Sequence, residues 1–165
     1  MLVFRPPFMP NFQPLMSLEQ RLVAVMSVDH PLASRRTIRL RDCAAHPVAL
    51  PERSIGGRQL LDEVSARSGL TFKLAAESNS FEMLRGLVTH ANLISFQIRI
   101  GTLPESNKLG LVARDIDDRD VPRANLVLGQ LRARNLPIPA AVFAEKLVRV
   151  LEGMRGGAQR VANSE

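Results

Sequence analysis

From Leu22 onward, strand-sized apolar runs alternate with stretches whose apolar residues recur every three or four positions, and this alternation restricts the fold most. The runs are Leu22–Met26, Pro47–Leu50, Thr71–Glu77, Leu93–Ile98, Leu109–Ala113 and Leu126–Leu128. Between them, Leu60, Leu61 and Val64 define one amphipathic helix over 57–68, closed by Gly69. Phe81, Leu84, Leu87 and Val88 define a second, and Phe143, Leu147, Val150, Leu151 and Met154 a third that starts after Pro137 and Pro139 and ends at Gly156-Gly157. Leu40–Ala45 reads as a helical turn or two. Strand and helix alternating in this way point to an α/β fold with mostly parallel strands. Ahead of this region, Met1–Phe4 reads as a strand stopped by Pro6, Pro7 and Pro10, with a loop running to about Ser17.

A chain of 165 residues, 45% of them hydrophobic, has the material for one ordinary domain or two small lobes. Its apolar runs fall well short of the roughly 18 to 20 residues that span a membrane. Met1–Pro14 lacks the apolar core of a secretory signal, so a cytoplasmic location is expected. Cys43, the single cysteine, fits a reducing compartment and a buried helical position. The net charge of +6 admits nucleic acid or an anionic small molecule as partner. The basic residues, mostly arginine, are scattered rather than arranged in a stripe, which weakens the nucleic-acid reading.

Catalytic and metal constellations are missing from the sequence. His30, His46 and His90 stand in unrelated contexts without zinc-site spacing, and two of them precede proline. Ser54, Ser78 and Ser80 lie in no nucleophile motif. The run Asp115, Asp117, Asp118 and Asp120 lacks the central glycine and terminal glutamate of a calcium loop and reads as a solvated acidic turn. No enzyme activity, cofactor or metal is expected. Polar loops at strand-to-helix junctions remain, the usual ligand position of open α/β sheets. One is Pro51–Gly57; the other is Ser78-Asn79-Ser80, where helix capping explains the residue types as well as a ligand role does.

The order of segments resembles a known family. Arg21–Ala33, with its His30-Pro31-Leu32-Ala33 turn, is similar to the strand and turn that open the second lobe of LysR-type effector domains. Ile38–Asp42, Pro47–Leu50, Arg58–Asp62, Glu77–Ser80 followed by Leu84–Val88, and Leu136–Leu151 follow at the family's intervals. The resemblance implies a two-lobed, periplasmic-binding-protein-like (type 2) fold that senses a small-molecule inducer, a small organic acid or other metabolite, between its lobes. It also implies homo-oligomers. The residues it places at the ligand are Pro51, Ser54, Ile55, Gly56, Ser78, Asn79, Ser80, Phe96 and Gln97.

Two departures from the family pattern stand out. Ala91 and Leu93 occupy a segment that usually carries a glycine pair, which puts the backbone there in question. Met1–Phe4 resembles a late strand of the first lobe, so the winged helix-turn-helix and the opening of that lobe are expected to lie outside this sequence. On this reading 21–107 is a complete second lobe, 1–20 with 108–154 a partial first lobe whose sheet face is left uncovered, and 155–165 a flexible tail. DNA is then reached only through the domain outside the sequence. The alternatives are a stand-alone small-metabolite-binding module, a non-functional truncated product, and an enzyme built on the same scaffold.

Overall fold

The computed structural model describes residues 1–102, 109–132 and 136–162, and for Gly56 and 155–162 the backbone alone. Residues 103–107 of the turn expected over 101–107 lie outside the described residues, as do 163–165 of the expected tail. The chain forms two compact units, one of Gln20–Ala124 and one of Met1–Glu19 with Asn125–Glu165.

The central unit is built on β3 (Leu22–Ser27), every residue of which is buried. That is the expected consequence of a continuous apolar run flanked on both sides by other strands. It pairs antiparallel with β7 (Ser95–Ile98) on one side and antiparallel with β8 (Leu111–Ile116) on the other. β4 (Thr37–Ile38) adds to β8 in parallel. A second sheet pairs β5 (Pro47–Pro51) with β6 (Lys73–Ser78) in parallel, and a bridge between Val48 and Ile94 links β5 to the start of β7. The strands are thus mixed in direction, not mostly parallel. The crossover through α2 makes the parallel β5–β6 pair, whereas β3 runs antiparallel to both of its neighbours.

Three helices belong to this unit. α1 (Leu40–Ala44) buries Leu40 and Cys43. α2 (Gly56–Ser68) buries Leu60, Leu61 and Val64, and Gly69 caps it in the left-handed conformation at φ 63°. α3 (Phe81–Ala91) buries Leu84 and Val88, and here Asn92 takes the left-handed cap at φ 52°. That resolves the question raised by Ala91 and Leu93. Asparagine is among the few non-glycine residues that adopt this conformation readily, so the chain turns without the glycine pair.

The acidic turn after β8 is not simply solvated. Asp120 accepts from Arg39 Nε at 2.8 Å and Arg39 Nη2 at 2.6 Å, and from the backbone N–H of Leu40 at 2.7 Å. A residue 80 positions away in sequence therefore supplies the cap of α1. The Arg39 hydrogen bonds hold the Asp120 carboxyl below the usual carboxylate range against the opposing effect of burial, with the Leu40 N–H helping.

In the outer unit, β1 (Leu2–Phe4) pairs antiparallel with β9 (Ala124–Leu131), and β2 (Phe12–Gln20) occupies the other side of β9. β2 corrects the expected loop to Ser17. Its less exposed residues alternate at Met16, Leu18 and Gln20, and it lies at the sheet edge, the position that tolerates a proline such as Pro14. Gly129 makes the pairing possible. A Cβ there would come within 2.3 Å of the Phe12 ring and 2.6 Å of the Gln13 carbonyl oxygen.

The last helix, α4 (Ile138–Ala162), runs through Gly156 and Gly157 instead of ending there. Its less exposed stripe is Ala140, Ala141, Ala144, Leu147, Val148 and Leu151. Phe143, Val150 and Met154, expected on that stripe, are instead 67%, 55% and 51% exposed. Alanines complete the inward face, so the large apolar residues are left to spread over a second one. β8 lies in the central unit through its ladder with β3, whereas the sequence reading ends the central lobe at 107.

Candidate functional site

The parallel pairing of β5 and β6 brings their carboxyl ends together, because Pro51 stands opposite Ser78 in the register. The chain leaves β5 into the 52–55 turn and enters α2; it leaves β6 at Ser78 and enters α3 three residues later, at Phe81. Glu52 N–H donates to the Ser78 carbonyl at 3.1 Å and ties the two loops to each other. Two segments picked out separately in the sequence thus meet, and each leads into a helix N-terminus with its unpaired N–H donors and positive dipole end.

Within this cluster the residues differ in exposure. Pro51 and Ser78 are buried, Ile55 is half-buried, and Ser54, Asn79 and Ser80 are exposed. The Ser80 hydroxyl accepts from Met83 N–H at 3.3 Å, which is the capping role, and the Ser78 hydroxyl accepts from Ser80 N–H at 3.1 Å. Ser54 and Asn79 are exposed polar side chains of this corner, as are Arg53 and Ser80. Gly56 is the first residue of α2.

Arg58 holds the corner together and was noticed in the sequence only as part of the family pattern. Its side chain is 5% exposed. Nε donates to Asp62 at 2.8 Å, and one Nη donates both to the Pro51 carbonyl and to Glu77, at 2.8 and 2.7 Å. Burial works against its charge, but the bonds to Asp62 and Glu77 outweigh it and raise the pKa further. A permanently charged fork thereby joins β5, α2 and β6. The signal available in the sequence was the i, i+4 spacing of Arg58 and Asp62.

Gln97 and Phe96 part company, because neighbouring residues of a strand face opposite sides. Gln97 and Ser95 line a small hollow with Val25 and the Phe81, Leu84, Arg85 and Val88 side chains of α3, about 10 Å³ in volume. Gln97 therefore sits beside the first turn of α3, next to the corner. Arg85 Nε is buried there without a partner, while its Nη2 pairs with Glu82. Phe96 is 1% exposed and packs on Phe72 with ring centroids 5.4 Å apart. It is a core residue not brought together with the others.

The histidines prove less unrelated than their sequence contexts suggest. His30 and His46 stack edge to face with centroids 4.6 Å apart. His30 Nδ1 accepts from Leu32 N–H at 3.2 Å, and Nε2 is buried without a partner. Among the described residues, no group of three or more His, Cys, Asp or Glu side chains is arranged to hold a metal. No described helix is long and apolar enough to cross a membrane.

Known structures share this architecture. The regulatory domain of CcmR from Synechocystis PCC6803, solved in complex with 2-PG, superposes with a TM-score of 0.75 at 22% identity, over 93% of this chain and 73% of that one. The effector binding domain of QuiR, in complex with shikimate, gives 0.68 at 21% identity over 87% and 67%. HinK, a LysR family transcriptional regulator from Pseudomonas aeruginosa, gives 0.71 at 23% identity over 91% of this chain and 51% of that one. No curated protein matches the sequence. These likenesses establish the fold as the periplasmic-binding-protein-like (type 2) α/β fold. Residues 1–152 match the LysR substrate binding domain, and the chain belongs to that family.

Proposed function

We propose that this chain is the inducer-sensing part of a bacterial LysR-type transcriptional regulator, and that it takes a small organic acid at the corner where 51–56 and 78–80 meet. The observation that carries the reading is the junction itself. Two loops at the carboxyl ends of parallel strands are tied by the Glu52–Ser78 hydrogen bond, and each opens into a helix N-terminus that favours a carboxylate. Family membership supports a ligand-binding role. The molecules held by CcmR and QuiR, 2-PG and shikimate, support a small one.

Ser54 and Asn79 offer the polar contacts, Ile55 the apolar wall, and the Gly56 backbone its N–H, with Gln97 beside the first turn of α3 and Phe96 supporting the sheet from behind. Pro51, Ser78 and Ser80 shape the corner. The central unit corresponds to the second lobe, and the segments outside it contribute to the first. The chain acts in the cytoplasm by binding and not by turnover. Operator DNA is contacted through a winged helix-turn-helix domain outside this sequence, and the sensing part associates with further copies of itself.

Titration calorimetry with a panel of small carboxylic acids tests the reading on the wild type, Ser54→Ala and Asn79→Ala. At least one acid is expected to bind, and each substitution to weaken it about tenfold, the value of one lost charge-assisted hydrogen bond. Unchanged affinity in both variants places the ligand elsewhere. Chemical conversion of a bound acid makes the chain an enzyme and overturns the sensing role.

A further inference from the structure

Away from the β5/β6 corner, the central unit carries a second concave feature, an open hollow of about 380 Å³ lined by Ser34, Arg35, Arg36, Arg99, Ala113, Arg114 and Asp115. Its floor is β8, where Ala113, Arg114 and Asp115 are consecutive, and its wall is the 34–36 segment that leads into β4. The carboxylates close to it are already engaged. Asp115 accepts from Arg21 at 2.8 Å and also pairs with Arg99. Asp42 pairs with Arg35 at 2.7 Å.

Leaving Arg36 aside, Arg21, Arg35 and Arg99 pair with the two carboxylates of Asp42 and Asp115, and Arg114 lines the hollow beside them. Positive charge is in excess. Arg114 concentrates it, because its Nε and one Nη donate to the Ala33 and Ala113 carbonyls at 2.7 and 3.2 Å, acceptors that carry no formal charge. These bonds fix the guanidinium plane and leave its other nitrogen for a ligand. The side chain is half-buried, so its charge is less screened than that of a free surface arginine. Ser34 is the uncharged polar residue of the lining.

We propose that this hollow is a second ligand site, for a small anion bearing two or more negative charges on phosphate or clustered carboxylate groups. Arginine forks match the planar oxygens of both groups bidentately, and several forks around one concavity favour a multiply charged ligand over a single carboxylate. The volume suits a small metabolite. A nucleic-acid backbone would require a continuing basic track, whereas the charge here is gathered around one hollow. Occupancy joins the 34–36 segment to β8 through the ligand, so a second metabolite would stiffen this part of the unit independently of the corner at β5 and β6.

The test is titration calorimetry on the whole chain with pyrophosphate and with citrate, for the wild type, Arg99→Gln, Arg114→Gln, Arg67→Gln and Asn79→Ala. Arg67 is an exposed arginine near the end of α2, a control for diffuse charge. Saturable one-to-one binding is expected for at least one anion, and which one it is separates phosphate from carboxylate chemistry. Arg99→Gln and Arg114→Gln should each weaken it about tenfold or more, and Arg67→Gln and Asn79→Ala less than twofold, on the scale of one charged hydrogen bond. Far-ultraviolet circular dichroism checks the fold of Arg114→Gln, and the exposed Arg99 keeps the test decisive if that variant unfolds. The proposal is overturned if neither anion saturates, or if Arg67→Gln weakens binding as much as the hollow variants do.

Discussion

His30 is almost fully buried, and its pKa lies below the ordinary 6.5, first because burial disfavours the imidazolium and second because of the charge on His46. As pH falls, the unfolded chain takes up this proton before the folded one does. The stability contribution is therefore complete above about pH 6.5 and lost as pH falls below it. Thermal melts at about pH 7.5 and 5.5 should show a lower Tm in acid, with the difference reduced in His30→Asn. Asp120 is an acid held ionised below its ordinary range, and its contribution is lost only as pH falls below the ordinary 3.8. Cys43 gives a separate check at this scale. Burial, with a smaller effect of Asp42, pushes its thiol up to about 12, and its side chain is inaccessible. A thiol reagent such as Ellman's should fail to label it in the native chain and label it fully in denaturant. Burial of Cys43 could be read from its neighbours in sequence, but the pairing of His30 with His46 joins residues 16 apart through tertiary packing and left no local mark.

Elements that looked self-sufficient in sequence turn out to be completed from a distance. α1 has five residues, too few to hold itself together, and the Asp120 carboxylate accepts both from its first N–H, at Leu40, and from the Arg39 fork. Asp120→Ala should cost about 2 kcal/mol or more of unfolding free energy, and Asp120→Asn, which keeps an oxygen for Leu40 N–H, noticeably less. Denaturant melts of the two variants measure the difference. Gly129→Ala should destabilise the outer unit by about 1 to 3 kcal/mol, since β2 must retreat from β9 to admit a methyl group. The helices and buried strands were legible because periodicity and apolar runs are local signals: α2, α3, β3 and β5 fall where the sequence puts them. β2 was missed because the loop that begins at Pro6, Pro7 and Pro10 was carried on to about Ser17, and its edge position, a fact of topology, tolerates Pro14. Strand direction was misjudged for the same reason, since it depends on which strands become neighbours. At the candidate site both loops were found from their turn chemistry. Their meeting came from the parallel β5/β6 register, and the anchoring role of Arg58 from burial that no spacing reveals.

For the molecule as a whole, the exposed apolar residues of α4, including Phe143, Val150 and Met154, bear on association with a second copy. Light scattering behind size exclusion should give a mass above the 18.2 kDa of one chain, and Phe143→Glu with Val150→Glu should shift it towards that value. The division of the chain into an uninterrupted central unit and an outer unit made from both ends also governs how the protein is made. The partner of β1 is β9, so Leu2 waits for Leu128 to leave the ribosome. Gln20–Ala124 is contiguous and can fold while synthesis continues, whereas 1–19 must wait for the residues from 125 onward. During that interval the N-terminal segment, with Phe4, Phe8 and Phe12, is a nascent chain without its sheet, and the period in which a chaperone would be needed falls at the start of the sequence rather than in its middle.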